Sequence, residues 1–362
     1  MTQQEFQGMT AGLAKGLHTE QRQVDFMIQL KAGLAMLNPN KVFAELKDFE
    51  KQALDYFLSA YHWPALITFL KERIDENGHV TDSRAWKYLY SALKQAAQLQ
   101  NHFRSKERQQ EPFQRYAKIY DAVIGQPCLD SFMANYLQVV KDKYLPDFSD
   151  RKILSLGCGT GLVEAHLLAV FGMDVEQIYG VDISAGMVEQ ARKRIRADQM
   201  DLLQLEGQSA QWDLVYCGLN VFHYLPPEDL ETGIAKAASF LKAGAYFLGD
   251  FITTDHIRWY PNVIFSADEQ VVTLRNPSLL AIAGKLYQES EIFNIHQEAG
   301  ELWINYAGKH RRYLPPMERV RKLFEHYFQG GVQLFDAHSM KLIGPDADTC
   351  ASTRYVVLAQ SG

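Results

Sequence analysis

Three glycines alternate in Gly157-Cys158-Gly159-Thr160-Gly161, directly after the apolar run Ile153 to Leu156 and directly before a helical pattern. Glycine adopts the left-handed backbone that a tight turn needs, and its missing Cβ lets the chain approach a ligand closely. The free N–H groups that open the next helix then face the same place, so the pattern points to a nucleotide-like ligand. A dinucleotide fingerprint, G-x-G-x-x-G, would need glycine at 162, where the chain has Leu162, and this argues against NAD. Asp182 ends the next apolar run, Ile178 to Val181, where a carboxylate at the carboxyl edge of a sheet can accept from both ribose hydroxyls. The structural reading of the same residues is a turn in which Ser184 caps the following helix, and the two are compatible. Asp201 precedes the run around Trp212 and could accept from an exocyclic amine.

Proton chemistry has its own candidates. His223 follows a strand whose carboxyl end faces the crevice of a doubly wound sheet, and an imidazole that titrates near neutrality suits a general base. A structural histidine is the competing reading. Tyr116 and Tyr120 are spaced to share a helical face; they could close a site and hydrogen-bond an acceptor, or simply pack together. Phe222, Tyr224, Trp259 and Tyr260 could form apolar or cation-binding walls, with a core role as the alternative. His296, His310, Arg311 and Arg312 could meet an anionic or carrier-linked acceptor, although a basic cluster is also what a solvated face looks like. Cys128, Cys158, Cys217 and Cys350 stand far apart, without C-x-x-C or zinc-ligand spacing, so free thiols and no metal are expected.

The elements that must hold these groups fall into two kinds. Up to about residue 110 the apolar spacing is helical, as in Val42, Leu46, Phe49, Ala53, Tyr56, Phe57 and again in Trp86, Leu89, Tyr90, Leu93. Asn38-Pro39-Asn40 and Glu76-Asn77-Gly78 punctuate these helices, and Asp82 or Ser83 could cap the one carrying Trp86. The charged stretch from Arg104 to Pro112 reads as a linker, which predicts an all-helical domain over 1–110 and a second domain over 111–362. In the second, buried strands at 153–156, 178–181, 213–216 and 245–250 alternate with helices at 162–170, 187–195 and 229–241. Such alternation predicts an α/β, doubly wound, mostly parallel sheet. About residues 251–314 exceed what that sheet requires, and their alternating stretches predict a small antiparallel β lid over the crevice.

The combined motifs resemble those of the class I S-adenosylmethionine-dependent methyltransferases, closest to the small-molecule N- and O-methyltransferases. ILSLGCGTG is similar to their first motif, GVDISAGMVEQAR to the ribose segment, QMDLLQL to the adenine segment, WDLVYCGLNVFHYLPPEDL to the fourth motif, and YAKIYDAVI to an N-terminal tyrosine segment. The resemblance covers residues 113 to 250 well. It implies a Rossmann-like sheet of seven strands with an antiparallel edge strand, and S-adenosyl-L-methionine as cofactor. It further implies that Gly157, Gly159 and Gly161 cradle the methionine part and that Asp182 holds the ribose. Asp201 with the backbone of Leu202 reads the adenine, Ile183 and Met187 complete that side, and Asn220 sits under the sulfonium. Ser155 departs from the pattern. The family usually has Asp or Glu there, whose charge helps hold the cofactor's ammonium group, and a hydroxyl forgoes the charge-assisted bond.

Composition narrows the partners. The 362 residues are 47% hydrophobic and 22% charged, with a net charge of -6, which suits a folded protein and gives no field for long nucleic acids. No targeting segment and no long apolar run stands out, so a cytoplasmic protein is expected, and the resemblance implies an enzyme acting on a small-molecule acceptor. The helical domain leaves room for a carrier protein, another protein partner or a homodimer. Two other classes remain open at this level: a cofactor-binding scaffold with weak catalysis, which Ser155 favours, and a methyltransferase acting on RNA or protein, which the extra domain permits.

Overall fold

The structure is a computed structural model that describes Gln4 and residues 63–104, 112–298, 300–344 and 353–362. The apolar stripe from Val42 to Phe57, the Asn38-Pro39-Asn40 break, most of the expected linker and Cys350 lie outside the described residues. In chain order the elements are α1 (Trp63–Lys71), α2 (Ser83–Arg104), α3 (Pro112–Tyr120), α4 (Ala134–Tyr144), β1 (Ile153–Leu156), α5 (Leu162–Phe171), β2 (Ile178–Asp182), α6 (Ala185–Ala191), β3 (Arg196–Gln199), β4 (Trp212–Cys217), α7 (Leu230–Phe240) and β5 (Leu241–Ile252). Then come β6 (Val263–Phe265), β7 (Val271–Ile282), β8 (Lys285–Glu298), β9 (Glu301–Tyr313), α8 (Met317–Tyr327), β10 (Gly331–Asp336) and β11 (Arg354–Gln360).

The large sheet has seven strands in the order β10-β11-β5-β4-β1-β2-β3. The five from β3 to β5 run parallel, while β11 runs antiparallel to both of its neighbours. Every residue of β1 and β4 is buried, as central parallel strands covered on both faces must be. Leu154, Leu156, Val215 and Phe247 pack on one face with α7 and α8, through Ile234 and Phe324. Ile153, Leu214 and Leu248 pack with α4 and α5 through Tyr136, Leu137 and Leu167. The strand order reverses at β1, between β2 and β4, and a crevice at such a reversal is where doubly wound sheets bind ligands.

The chain divides into two compact units, and the division is not a single cut near residue 110. The first takes the chain up to residue 112 together with 261–276 and 291–308; the second takes 113–260, 277–290 and 309–362. Residues 261–276 and 291–308 of the expected β insertion therefore belong with the first unit, which is not all-helical. Val263, Val272, Phe293, Ile295 and Ile304 share one core with Trp63, Leu66, Leu70, Leu89 and Leu93 of α1 and α2. The apolar face of strands this long needs a partner surface, and the amphipathic helices supply it. Asp82 caps α2 by accepting from the Arg84 N–H at 3.0 Å. The hairpin between β7 and β8 turns on Ala283 (φ 49°) and Gly284 (φ 74°), the left-handed pair that matches strand twist in two-residue turns. No helix among the described residues is long and apolar enough to cross a membrane.

Candidate functional site

Each of the three glycines after β1 has positive φ, at 72°, 54° and 75° for Gly157, Gly159 and Gly161, but their reasons differ. A Cβ on Gly157 would lie 2.3 Å from the Val221 side chain, and one on Gly161 would lie 3.1 Å from Ala191. A Cβ on Gly159 would meet nothing within 4 Å, so the tip of the turn presents bare backbone on an open side. Asp182, at the end of β2, ties this turn down: Oδ2 accepts from the Gly159 N–H and Oδ1 from the Ser184 N–H, both at 2.9 Å. Burial raises its pKa, against those two backbone donors. A carboxylate can accept more than two hydrogen bonds, so capacity remains for a ligand hydroxyl.

Beside Asp182, Ile183 is 70% exposed, an apolar surface left open next to a polar clamp. The Ser184 hydroxyl accepts from the Met187 N–H at 3.4 Å, so the capping reading of this segment holds together with the carboxylate reading. Met187 itself is buried. Asp201 Oδ1 accepts from the Leu203 N–H at 2.9 Å and orders the turn that carries the buried Leu202.

Ser155 lies buried in the middle of β1 and donates to Glu164 Oε1 at 2.7 Å. Glu164 enters from the first turn of α5, where a helix N-terminus favours negative charge. Its other oxygen, Oε2, is buried with no hydrogen-bond partner. Burial, opposed by the Ser155 hydroxyl, pushes its pKa up to about 7. Sequence reading missed this residue. The signal was present as an acid in the otherwise apolar opening Leu162-Val163-Glu164-Ala165, one helical step beyond the glycines.

One expected role is corrected, and a second residue is tied into a buried ion pair. His223 is 1% exposed and spends both ring nitrogens on backbone: Nδ1 donates to the Tyr313 carbonyl at 2.6 Å, and Nε2 accepts from the Ile252 N–H at 2.9 Å. Burial holds its pKa down at about 3, so the ring stays neutral and has no lone pair left for an acceptor's proton. It joins the ends of β5 and β9 and is structural. Asn220 has φ 70° and its Oδ1 accepts from Arg354 at 2.8 Å, inside a buried pair of Arg354 with Asp250. Its Oδ1 is committed there.

Tyr116 and Tyr120 meet edge to face with ring centroids 5.3 Å apart. The helical path beyond them is pinned to the glycine turn by Asp121, which accepts from Thr160 Oγ1 at 2.5 Å and pairs with Arg194 at 2.6 Å. Arg194 also donates to the Thr160 carbonyl at 3.0 Å, closing a three-sided clamp. His310 lies 6.3 Å from both the Tyr116 and the Tyr224 rings, and Arg312 Nε donates to the Tyr224 hydroxyl at 3.0 Å. Trp259 is 63% exposed while Tyr260 is buried. His296 belongs to the first unit. No cluster of metal-ligating side chains occurs among the described residues, and Cys128, Cys158 and Cys217 form no disulfide.

Comparison with known proteins places the same stretch in context. Residues 153–244 match the family model described as a methyltransferase domain. An uncharacterized methyltransferase of Schizosaccharomyces pombe is 30% identical over 135 residues, which span 32% of this chain and 45% of that protein. The chain thus matches less than half the length of that curated relative. A solved S-adenosylmethionine-dependent methyltransferase from Clostridium acetobutylicum shares the fold at a TM-score of 0.55 and 18% identity, covering 69% of this chain and 99% of its own.

Proposed function

We propose that this protein, whose residues 153–244 match the model of a methyltransferase domain, is a class I S-adenosylmethionine-dependent enzyme that transfers the cofactor's methyl group to a small-molecule nucleophile by in-line displacement. The observation that carries the reading is the open tip at Gly159, flanked by the Asp182 carboxylate and the unpartnered Glu164 oxygen. This donor set fits the cofactor: bare backbone for the aminoacyl chain, acceptors for ribose hydroxyls, and the exposed Ile183 for an adenine face. Glu164 provides the negative charge that the hydroxyl of Ser155 does not. Ser155 was the feature favouring a binding-only scaffold, and a carboxylate 2.7 Å from it removes most of that support.

Bound there, S-adenosylmethionine supplies a methyl group on a sulfonium, a leaving group that departs uncharged. The chain's task is to align the acceptor and exclude water, which can account for most of the acceleration. Tyr116 and Tyr120, pinned beside the glycine turn through Asp121, cover the reacting centre in this reading. Where the acceptor must lose a proton, His223 is not the group that receives it, since both of its ring nitrogens are bonded to backbone. The test is calorimetric titration with S-adenosylmethionine, S-adenosylhomocysteine and NADH. Micromolar or tighter binding of the first two, and none of NADH, is expected. Absence of both sulfur ligands would sink the proposal.

A further inference from the structure

The end of β9 carries two kinds of cation on its two faces. Side chains alternate along a strand, so Lys309 and Arg311 share one face and His310 and Arg312 the other. On the first face Glu289 neutralises the charge, pairing with Arg311 at 2.6 Å and Lys309 at 3.5 Å. On the second face Arg312 is half-buried against tyrosines, its guanidinium carbon 5.3 Å from the Tyr224 ring centre and 5.6 Å from that of Tyr260. Its Nε donates to the neutral Tyr224 hydroxyl, and no carboxylate pairs with it among the described residues.

The hydrogen-bond inventory of this cluster is short of acceptors. Arg312 has only donors, and among the described residues only its Nε–H meets an acceptor. The Tyr224 oxygen already accepts from Arg312, so its own proton is left to donate. Tyr120 adjoins the same guanidinium, and burial pushes its pKa up, so it too stays a protonated donor at neutral pH. A half-buried guanidinium without a counter-charge is costly, and a planar oxyanion satisfies it with charge-assisted bonds. Tyr224, 46% exposed, leaves the cluster accessible.

We infer that Arg312, with Tyr120 and Tyr224, forms an oxyanion-binding site for a carboxylate or phosphate carried by the methyl acceptor, whose apolar body lies against the Tyr224 and Tyr260 rings. That the ligand is the acceptor rests on the methyltransferase reading; that the site takes an oxyanion does not. Tyr116 and His310 border the cluster and connect it to the segment pinned on the glycine turn.

The experiment uses full-length protein saturated with S-adenosylhomocysteine and titrated by saturation-transfer NMR with benzoate, phenyl phosphate and uncharged benzamide. At least one anion should bind about tenfold more tightly than benzamide, and which one wins tells carboxylate from phosphate. Arg312→Gln should lose that preference while its affinity for S-adenosylhomocysteine and its circular dichroism stay as in the wild type. Arg312→Lys, which keeps the charge but not the fork, should retain part of it and serves if the glutamine variant misfolds. Equal binding of benzoate and benzamide, no probe binding to cofactor-loaded wild type, or an undiminished preference in Arg312→Gln would overturn the site. Failure to bind S-adenosylhomocysteine with anion preference intact would instead overturn the proposed function and leave the site standing.

Discussion

Two buried titratable side chains near the carboxyl edge of the large sheet sit in opposite conditions. Glu164 has one oxygen on the Ser155 hydroxyl and one with no partner, whereas His223 has both nitrogens bonded to backbone. Burial raises the first pKa to about 7 and lowers the second to about 3, and in each case the neutral form is favoured. The difference lies in leftover hydrogen-bonding capacity. A saturated group such as His223 can only hold structure, as can the buried Arg354, Asp250 and Asn220 set beside it. A half-satisfied group such as Glu164 stores a demand that a cationic ligand can meet.

The saturated side of this contrast should break first. Arg354→Met would leave the fully buried Asp250 carboxylate without its cation and should cost about 4 kcal/mol in urea unfolding. A loss below about 1 kcal/mol would show that the pair is not the closed element described.

His223→Ala comes next, stranding the Ile252 N–H and the Tyr313 carbonyl, at on the order of 3 kcal/mol. The sign of its pH dependence is also determined. Because the folded-state pKa lies below the ordinary 6.5, the neutral ring's contribution is complete above pH 6.5 and lost as pH falls toward 3. The variant's stability should lack that acid-side decline; unchanged stability with lost turnover would restore His223 to the chemistry.

Glu164→Gln tests the unsatisfied side and should have the opposite stability effect. The folded pKa lies above the ordinary 4.5, so the contribution of Glu164 is complete below pH 4.5 and lost as pH rises through about 7. At pH 8 glutamine should therefore raise stability, on the order of 2 kcal/mol, while at pH 5 the two proteins should differ little. Calorimetry should show S-adenosylhomocysteine bound about tenfold more weakly, as expected for a lost charge-assisted contact. An unaltered affinity would return the ammonium role to no residue found so far.

Ser155→Ala is the mildest change. Removing the hydroxyl should cost about 1 kcal/mol and move the Glu164 titration further upward, readable as a cofactor affinity that improves only at higher pH than in the wild type. A pH profile identical to wild type would show that the two side chains are not coupled.

Much of the large sheet was legible because its signals are local. Ile153 to Leu156, Ile178 to Val181 and the strands after them are short apolar runs bounded by turn residues, and the structure extends rather than moves them. The glycine turn and Asp182 were legible for the same reason, since positive φ and a strand-ending acid are written at single positions. The strands of the insertion were legible from their alternation, but alternation shows only that a strand has an apolar face, not which surface will cover it. Its partners, Leu89 and Leu93 among them, lie far away in the chain.

The sequence by itself determined the α/β order of elements and the residue types placed at the ends of the strands, because periodicity, turn chemistry and strand-end positions are short-range properties. Only the tertiary structure decided which of those residues remain available. His223 and Glu164 look equally eligible in one dimension. The bonds that exhaust one and leave the other open come from Tyr313, Ile252 and Ser155, and those from the first two depend on how distant backbone and side chains meet in three dimensions.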